Sequence, residues 1–198
     1  MHDKGKRRVT LFDFDGTLIA CDSFPKFAVE AVGKLRFIQA LAACAMRLCA
    51  WKLGLIDGTD AKMHLFRRLY RGMPYASFKK SGEEFSAIID GNLRQDIFAA
   101  FMESVRRGDT VYIISASVEE WIEPWARKFP GVKVLSTRVE VRDGVLTGEL
   151  ASANCKGVEK LKRLRELEPE LNGCYVTVYS DNKSDKPLME IADETFMV

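Results

Sequence analysis

Arg8-Val9-Thr10-Leu11-Phe12-Asp13-Phe14-Asp15-Gly16-Thr17-Leu18 is the stretch that decides the architecture of this chain. Residues Arg8 to Phe14 form a short, largely apolar run that stops at a Gly-Thr turn, the pattern of a buried strand. Asp13 and Asp15 stand one residue apart at its carboxyl end. Their mutual repulsion is tolerable only beside a counter-cation, and a hard cation such as Mg2+ takes oxygen ligands of this kind. Gly16 and Thr17 supply a turn whose backbone N–H groups can face one point and cradle an anion. A strand-end aspartate can also be no more than a helix cap, but the full string behind an apolar strand favours the chemical reading.

Downstream, the pattern is helical from about Ser23 to Phe101. Phe37, Leu41, Cys44/Ala45, Leu48 and Trp51 recur at three- and four-residue steps, with Arg36, Gln39 and Arg47 opposite. Further helices are expected near Thr59 to Tyr70, Tyr75 to Ile89 and Asn92 to Arg107. Strands then return at Asp109 to Ser115, Val132 to Leu135, Tyr175 to Ser180 and Thr195 to Val198. They alternate with helices at Val118 to Phe129, Gly157 to Leu167 and Pro187 to Ala192. Val139 to Leu150 reads as a hairpin turning at Asp143-Gly144. The expected fold is α/β, a Rossmann-like, mostly parallel sheet with helices on both faces, plus an all-helical cap inserted after the first strand. The boundaries follow: residues 1–20 and 92–198 as the core domain, 21–91 as the cap. Ligands of such sheets bind at the carboxyl ends of the strands.

Three more motifs fall at that edge. Ser115-Ala116-Ser117 ends a strand and precedes a helix, so a hydroxyl and the Ala116 region's N–H groups can hold phosphate oxygens; serine in this place also commonly caps a helix. Asn154-Cys155-Lys156-Gly157-Val158-Glu159-Lys160 offers two lysines, Lys156 and Lys160, that could neutralise a transferring group. On composition alone each reads first as a solvated surface lysine. Leu164 and Leu167 follow Lys160 at core-anchoring steps and favour it. Tyr179-Ser180-Asp181-Asn182-Lys183-Ser184-Asp185 again sets acids just past an apolar strand. Asp181 can complete a metal site, and Asp185 can hold water or orient the lysine.

Bulk properties narrow the class. A formal net charge of +2 gives no stripe able to neutralise many phosphates, which argues against nucleic acid as a partner. The basic run Lys4-Gly5-Lys6-Arg7-Arg8 reads as a solvated lead-in to the first strand. The five cysteines include no Cys-x-x-Cys pair and no zinc spacing, and no secretion signal is visible, so free thiols and a cytoplasmic setting are expected. Leu35 to Ile56 is apolar, but its longest unbroken run, Ala40 to Met46, falls far short of the roughly 20 residues a spanning helix needs. Two readings remain for it: the buried core of a helical cap, or a surface that meets a membrane or a greasy substrate.

Taken in order, these motifs resemble the haloacid dehalogenase superfamily in its phosphoserine-phosphatase-like branch. The resemblance spans nearly the whole chain, cap placement included. Tyr179 to Leu188 is also similar to a subset that includes phosphatidylglycerophosphate phosphatases, with Asn182 where Ser or Gly is usual. The resemblance implies a Mg2+-dependent phosphatase in which Asp13 is the nucleophile and Asp15 the acid and base. The metal would be held by Asp13, the Asp15 carbonyl and Asp181, with Asp185 acting indirectly. Ser115 and the lysine would clamp the phosphoryl oxygens. Gly-x-Glu-Lys resembles the lipid-phosphatase-like subset and points to Lys160, whereas Lys156-Gly157 resembles phosphoserine phosphatases. Asp22 matches the position at which those enzymes meet the substrate's amino group, although it can instead cap the first cap helix. Arg67, Arg68 and Arg71 lie where a carboxylate-binding arginine could stand, or on a solvated helix face. The substrate is then a small phosphorylated molecule or, alternatively, a lipid phosphate reached by peripheral membrane contact through the cap. A non-enzymatic phosphate-binding module is the reading from another class.

Overall fold

The computed structural model describes residues 5–198, so Lys4 of the basic lead-in lies outside the described residues. After β1 (Arg8–Phe12) come α1 (Ser23–Val32), α2 (Lys34–Ala43), α3 (Ala45–Lys52), α4 (Gly58–Tyr70) and α5 (Tyr75–Asp90). The chain then runs α6 (Gln95–Arg107), β2 (Thr110–Val118), α7 (Glu119–Ala126), β3 (Lys133–Thr137), β4 (Val139–Arg142) and β5 (Val145–Leu150). It finishes with α8 (Val158–Leu167), β6 (Tyr175–Ser180), α9 (Lys186–Met189) and β7 (Glu194–Met197).

Five strands form one parallel sheet in the order β3-β2-β1-β6-β7, and β4 pairs only with β5, antiparallel. Side chains alternate across it as the pleat requires. Val9, Leu11, Tyr112 and Ile114 join Leu164 of α8 and Leu188 of α9 on one face. Phe12, Val111 and Ile113 join Phe101 of α6 and Trp121, Ile122 and Trp125 of α7 on the other. Both faces are covered, which explains the unbroken apolar runs of β1 and β2. The all-parallel sheet with helices on both sides is the α/β fold expected from the sequence.

Local departures have local causes. β2 runs on to Val118 rather than ending at Ser115, because its pairing with β3 shifts register between Ile114 and Val118. The helix that follows ends at Ala126, not Phe129. Asp143-Gly144 turns the hairpin with positive φ at both residues, as a two-residue hairpin turn demands. The lead-in is only partly solvated: Arg7 ion-pairs with the buried Glu168 at 2.5 Å. All five cysteines are free thiols.

Helices α1 to α5 lie between β1 and α6 and close over the sheet's carboxyl edge on two supports. At one, α5 packs on α7 so tightly that a Cβ on Gly82 would lie 2.0 Å from the Glu120 carbonyl oxygen. At the other, the segment 72–75 adds to the hairpin through Gly72 N–H to Leu146 O, Leu146 N–H to Met73 O and Tyr75 N–H to Gly144 O. Arg67 seals that side with a bidentate pair to Glu149, both bonds 2.6 Å.

The 35–56 stretch departs furthest from a simple buried stripe. Ala40 and Cys44 are buried, and Phe37, Leu41 and Leu48 pack on the core, but Trp51 is 47% exposed and α3 buries no residue fully.

Candidate active site

The site is assembled from the ends of β1, β2 and β6 and the start of α8. Past β1, the Asp13 N–H still donates to Tyr179 O at 2.9 Å, so Asp13 is held in the line of the sheet. Its Oδ1 accepts from Phe14 N–H at 2.8 Å and pairs with Lys160 Nζ at 2.9 Å, while no hydrogen bond to Oδ2 is found among the described residues. Burial pushes the Asp13 carboxyl up to about 7 against the pull of Lys160. Lys160 is itself buried, 2% exposed, and its ammonium also meets Asp185 Oδ2 at 2.7 Å. The two carboxylates hold it charged despite burial, raising its pKa. Ser180 Oγ adds a 2.7 Å hydrogen bond to the same Asp185 oxygen.

Lys156, the other lysine, is exposed, and its charge is felt by Asp57 at the start of α4 rather than by Asp13. Lys156 lies in the loop before α8, whereas Lys160 stands in the first turn of that helix, on the face that enters the core with Leu164. Gly157, at φ +56°, makes the turn into that helix.

Asp15 is held from two sides. Its Oδ2 accepts from Ser117 Oγ at 2.5 Å, and its Oδ1 accepts from Ser23 N–H at 2.8 Å. Ser23 Oγ lies 3.0 Å from Ser117 Oγ and accepts from Trp121 Nε1 at 3.1 Å. Burial raises the Asp15 carboxyl above the usual carboxylate range, opposed first by the charge of Lys62. An upward shift of this kind is what a general acid needs.

The turn between these acids and α1 is tightly fixed. Gly16 has φ +75°, which favours glycine, and a Cβ there would lie 2.1 Å from Asp181 Oδ2, so a side chain would displace the Asp181 carboxylate. Thr17 Oγ1 accepts from Asp181 N–H at 3.0 Å and donates to Asp181 Oδ1 at 3.3 Å. Arg94 donates to Gly16 O at 3.1 Å. Ser115 is buried within β2, in the stretch where the pairing with β3 shifts; its Oγ accepts from Ser117 N–H at 3.0 Å, and the Ala116 carbonyl accepts from Thr137 Oγ1 at 2.9 Å.

Among the described residues no three His, Cys, Asp or Glu side chains converge as a metal cluster. The donor set at this edge is two carboxylates and a carbonyl, and it fits a hard cation on three counts. Both described bonds of the Asp13 carboxylate fall on Oδ1, which leaves Oδ2 for a cation. Gly16 leaves the space into which the Asp181 carboxylate comes. Asp185 Oδ1 is buried without any hydrogen-bond partner, an acceptor whose isolation costs about 1–3 kcal/mol unless a cation or its water answers it.

Beside Asp15 a slot opens between the helices and the sheet, lined by Phe24, Lys62, Phe66, Ser117, Trp121 and Asn154 among others. Asp22 is not part of its lining. It caps α1 instead, accepting from Phe24 N–H at 2.9 Å. Arg67 is engaged by Glu149, while Arg68 and Arg71 are exposed. Of its serine motif the sequence singles out Ser115, and it does not reveal the parts played by Ser117, Ser23 and Arg94. Their bonds to Asp15 and Gly16 join residues far apart in the chain, and only the Ser-x-Ser spacing hinted at one of them.

The parallel sheet brings an aspartate pair, a buried lysine and serine hydroxyls to one edge, a set of groups suited to hydrolytic chemistry on an anion. Residues 10–190 match the haloacid dehalogenase-like hydrolase family, and the chain belongs to that family. Its fold is shared with solved phosphoserine phosphatases. It is similar to Protein CicA of Caulobacter vibrioides, 30% identical over 92% of this chain and 82% of that protein. A probable phosphatase of Mycobacterium tuberculosis is 37% identical over 46% of this chain and 32% of its own length. Among solved structures, a Bordetella pertussis protein of unknown function superposes with a TM-score of 0.74 at 21% identity, over 96% of this chain and 89% of that one. A phospho-aspartyl intermediate analogue of a phosphoserine phosphatase gives a TM-score of 0.61 at 18% identity, over 98% and 94%. No helix among the described residues is long and apolar enough to cross a membrane.

Proposed function

We propose that the enzyme is a Mg2+-dependent phosphomonoester hydrolase working through an aspartyl-phosphate on Asp13. The observation that carries this reading is the buried Lys160 ammonium, 2.9 Å from Asp13 Oδ1 and 2.7 Å from Asp185 Oδ2. Nothing in packing requires a charged lysine there, whereas a carboxylate that must attack a phosphate dianion requires a neutralising cation beside it. An Asp13 oxygen attacks phosphorus, the bond from phosphorus to the ester oxygen breaks, and Asp15 gives its proton to the departing alkoxide. Water then attacks the acyl phosphate and loses a proton to Asp15; the Asp13–phosphorus bond breaks, returning Asp13 and releasing inorganic phosphate. Gly16, Thr17, Ser115 and Ala116 are assigned to the phosphoryl oxygens, and Lys160 offsets their charge. Asp13, the Asp15 carbonyl and Asp181 would hold Mg2+, with Asp185 acting through water. The metal, when bound, shields the nucleophile from the anionic substrate.

The leaving group enters the slot beside Asp15. The first reading is a small phosphorylated metabolite of the cytoplasm. Phosphoserine itself fits poorly, because Asp22 is spent on the α1 cap and the slot's lining includes no carboxylate for an ammonium group. Its lining of Phe24, Met63, Phe66, Val118 and Trp121, with Lys62 as a cation, favours a second reading, a lipid phosphate. A panel of phosphomonoesters assayed with Mg2+ or a chelator separates these readings. Every hit should need the metal, and Asp13→Asn should abolish hydrolysis of even a generic aryl phosphate. Activity surviving in Asp13→Asn overturns the assigned nucleophile.

A further inference from the structure

We propose that α2, α3 and the turn after them seat this enzyme on an anionic lipid bilayer. The inner side of the pair is satisfied by the protein, where Ala40 and Cys44 are buried and Phe37, Leu41 and Leu48 pack on the core. The outer side is apolar as well, and none of the described residues covers it. Leu35 is 71% exposed, Met46 87%, Leu53 74% and Leu55 73%, and Ile38 and Trp51 are about half exposed. Leu35, Ile38 and Ala42 follow one stripe of α2, and Met46, Cys49 and Leu53 follow one stripe of α3 and its end. Helices with apolar residues on both sides are otherwise found inside larger cores. Here the second side faces solvent, where an apolar surface of this extent marks an interaction site.

Charge identifies the occupant. From Lys34 to Ile56 the segment carries Lys34, Arg36, Arg47 and Lys52, all exposed, and no acid stands between Glu30 and Asp57. The rest of the chain offsets this, since the whole carries a formal charge of only +2. A second copy docked on the same face would set these cations against their own equivalents. An anionic headgroup layer would pair with them while Leu35, Met46, Leu53 and Leu55 enter the acyl boundary, the arrangement of an interfacial amphipathic helix. Short helices with no spanning length suit lying on the surface rather than crossing it.

The face also reaches the mouth of the active site. Trp51 packs over the start of α4, where a Cβ on Gly58 would lie 2.7 Å from its Nε1, and the next residue, Thr59, lines the slot beside Asp15. Seating is a separate property from the chemistry, so its test needs no turnover.

The intrinsic probe is tryptophan. Trp121 and Trp125 are fully buried and Trp51 is half exposed, so a change of emission on binding reports the face itself. The full-length enzyme is mixed with vesicles of phosphatidylcholine containing phosphatidylglycerol, and with vesicles of phosphatidylcholine alone. Binding is read by co-sedimentation and by the blue shift of Trp51. Binding to the anionic vesicles, weakened by salt, is expected. The variant Leu35→Glu/Leu53→Glu should bind at least tenfold more weakly, and each charge removed in Arg47→Gln or Lys52→Gln should weaken binding roughly fivefold. Aryl-phosphate hydrolysis should be unchanged in all three, which also verifies folding. Absence of wild-type binding overturns the proposal, as does equal binding to neutral vesicles or a dimer that Leu35→Glu/Leu53→Glu dissolves.

Discussion

At the scale of single residues, the acid and its supports are the informative part. Ser117 Oγ, 2.5 Å from Asp15 Oδ2, favours the ionised form and so pulls down a carboxyl that burial raises. Ser117→Ala removes that pull, so the Asp15 pKa rises further. A general acid must be protonated, so the alkaline limb of the kcat profile should move to higher pH while kcat falls roughly tenfold. A pH–rate series on a soluble phosphomonoester reads both. Glu168 makes an independent prediction about stability. Bonds from Arg7 and from Tyr112 Oη at 2.5 Å hold its carboxyl down at about 2, below an unfolded value of roughly 4.3. Its contribution is therefore complete above about pH 4.5 and lost as pH falls through about 2. Glu168→Gln should cost roughly 2–3 kcal/mol near neutrality, and denaturant curves of variant and wild type should converge in acid. The residues gathered at this edge were legible as candidates because each sits beside an apolar strand or helix start. Ser23, Ser117 and Arg94 were not, because their roles exist only once α1, β2 and the 92–94 segment meet.

At the scale of elements, two close approaches fix how the helices sit on the sheet. Gly82 leaves no room for a Cβ against Glu120 O, so Gly82→Leu must separate α5 from α7. The expected cost of roughly 1–3 kcal/mol is a fall in Tm of roughly 3–10 °C, checked by thermal melts. The glycine gave no signal in the sequence, since it sits mid-helix where propensity disfavours it. Helical periodicity did reveal the inner stripe of α2 and α3. It could not reveal their outer stripe, because Leu35, Ile38, Met46 and Leu53 also recur at helical steps and period alone does not say which face a protein covers. The register shift in β2 was equally hidden, since Ser115 to Val118 reads as a turn until β3 pairs beside it.

At the scale of the whole molecule, strand and helix alternation made the class of fold readable, while the order β3-β2-β1-β6-β7 was not. That order comes from crossovers whose direction depends on packing at both faces, not on any local pattern. It places β1 at the centre, and the acids past β1, the serines of β2 and the acids past β6 thereby share one edge. The larger consequence lies in the apolar cluster on one face of that sheet. Phe12, Ile113, Phe101 and Trp125 of the sheet and its helices belong to the same buried cluster as Phe27, Phe66, Phe78 and Phe85 of α1, α4 and α5. Phe27 alone meets Trp121 at 4.4 Å between ring centroids and Phe85 at 5.5 Å. Cap and sheet are thus one thermodynamic body. Calorimetry should record a single transition with equal calorimetric and van't Hoff enthalpies, and substrate should be admitted by slippage of packed helices rather than by a swinging door.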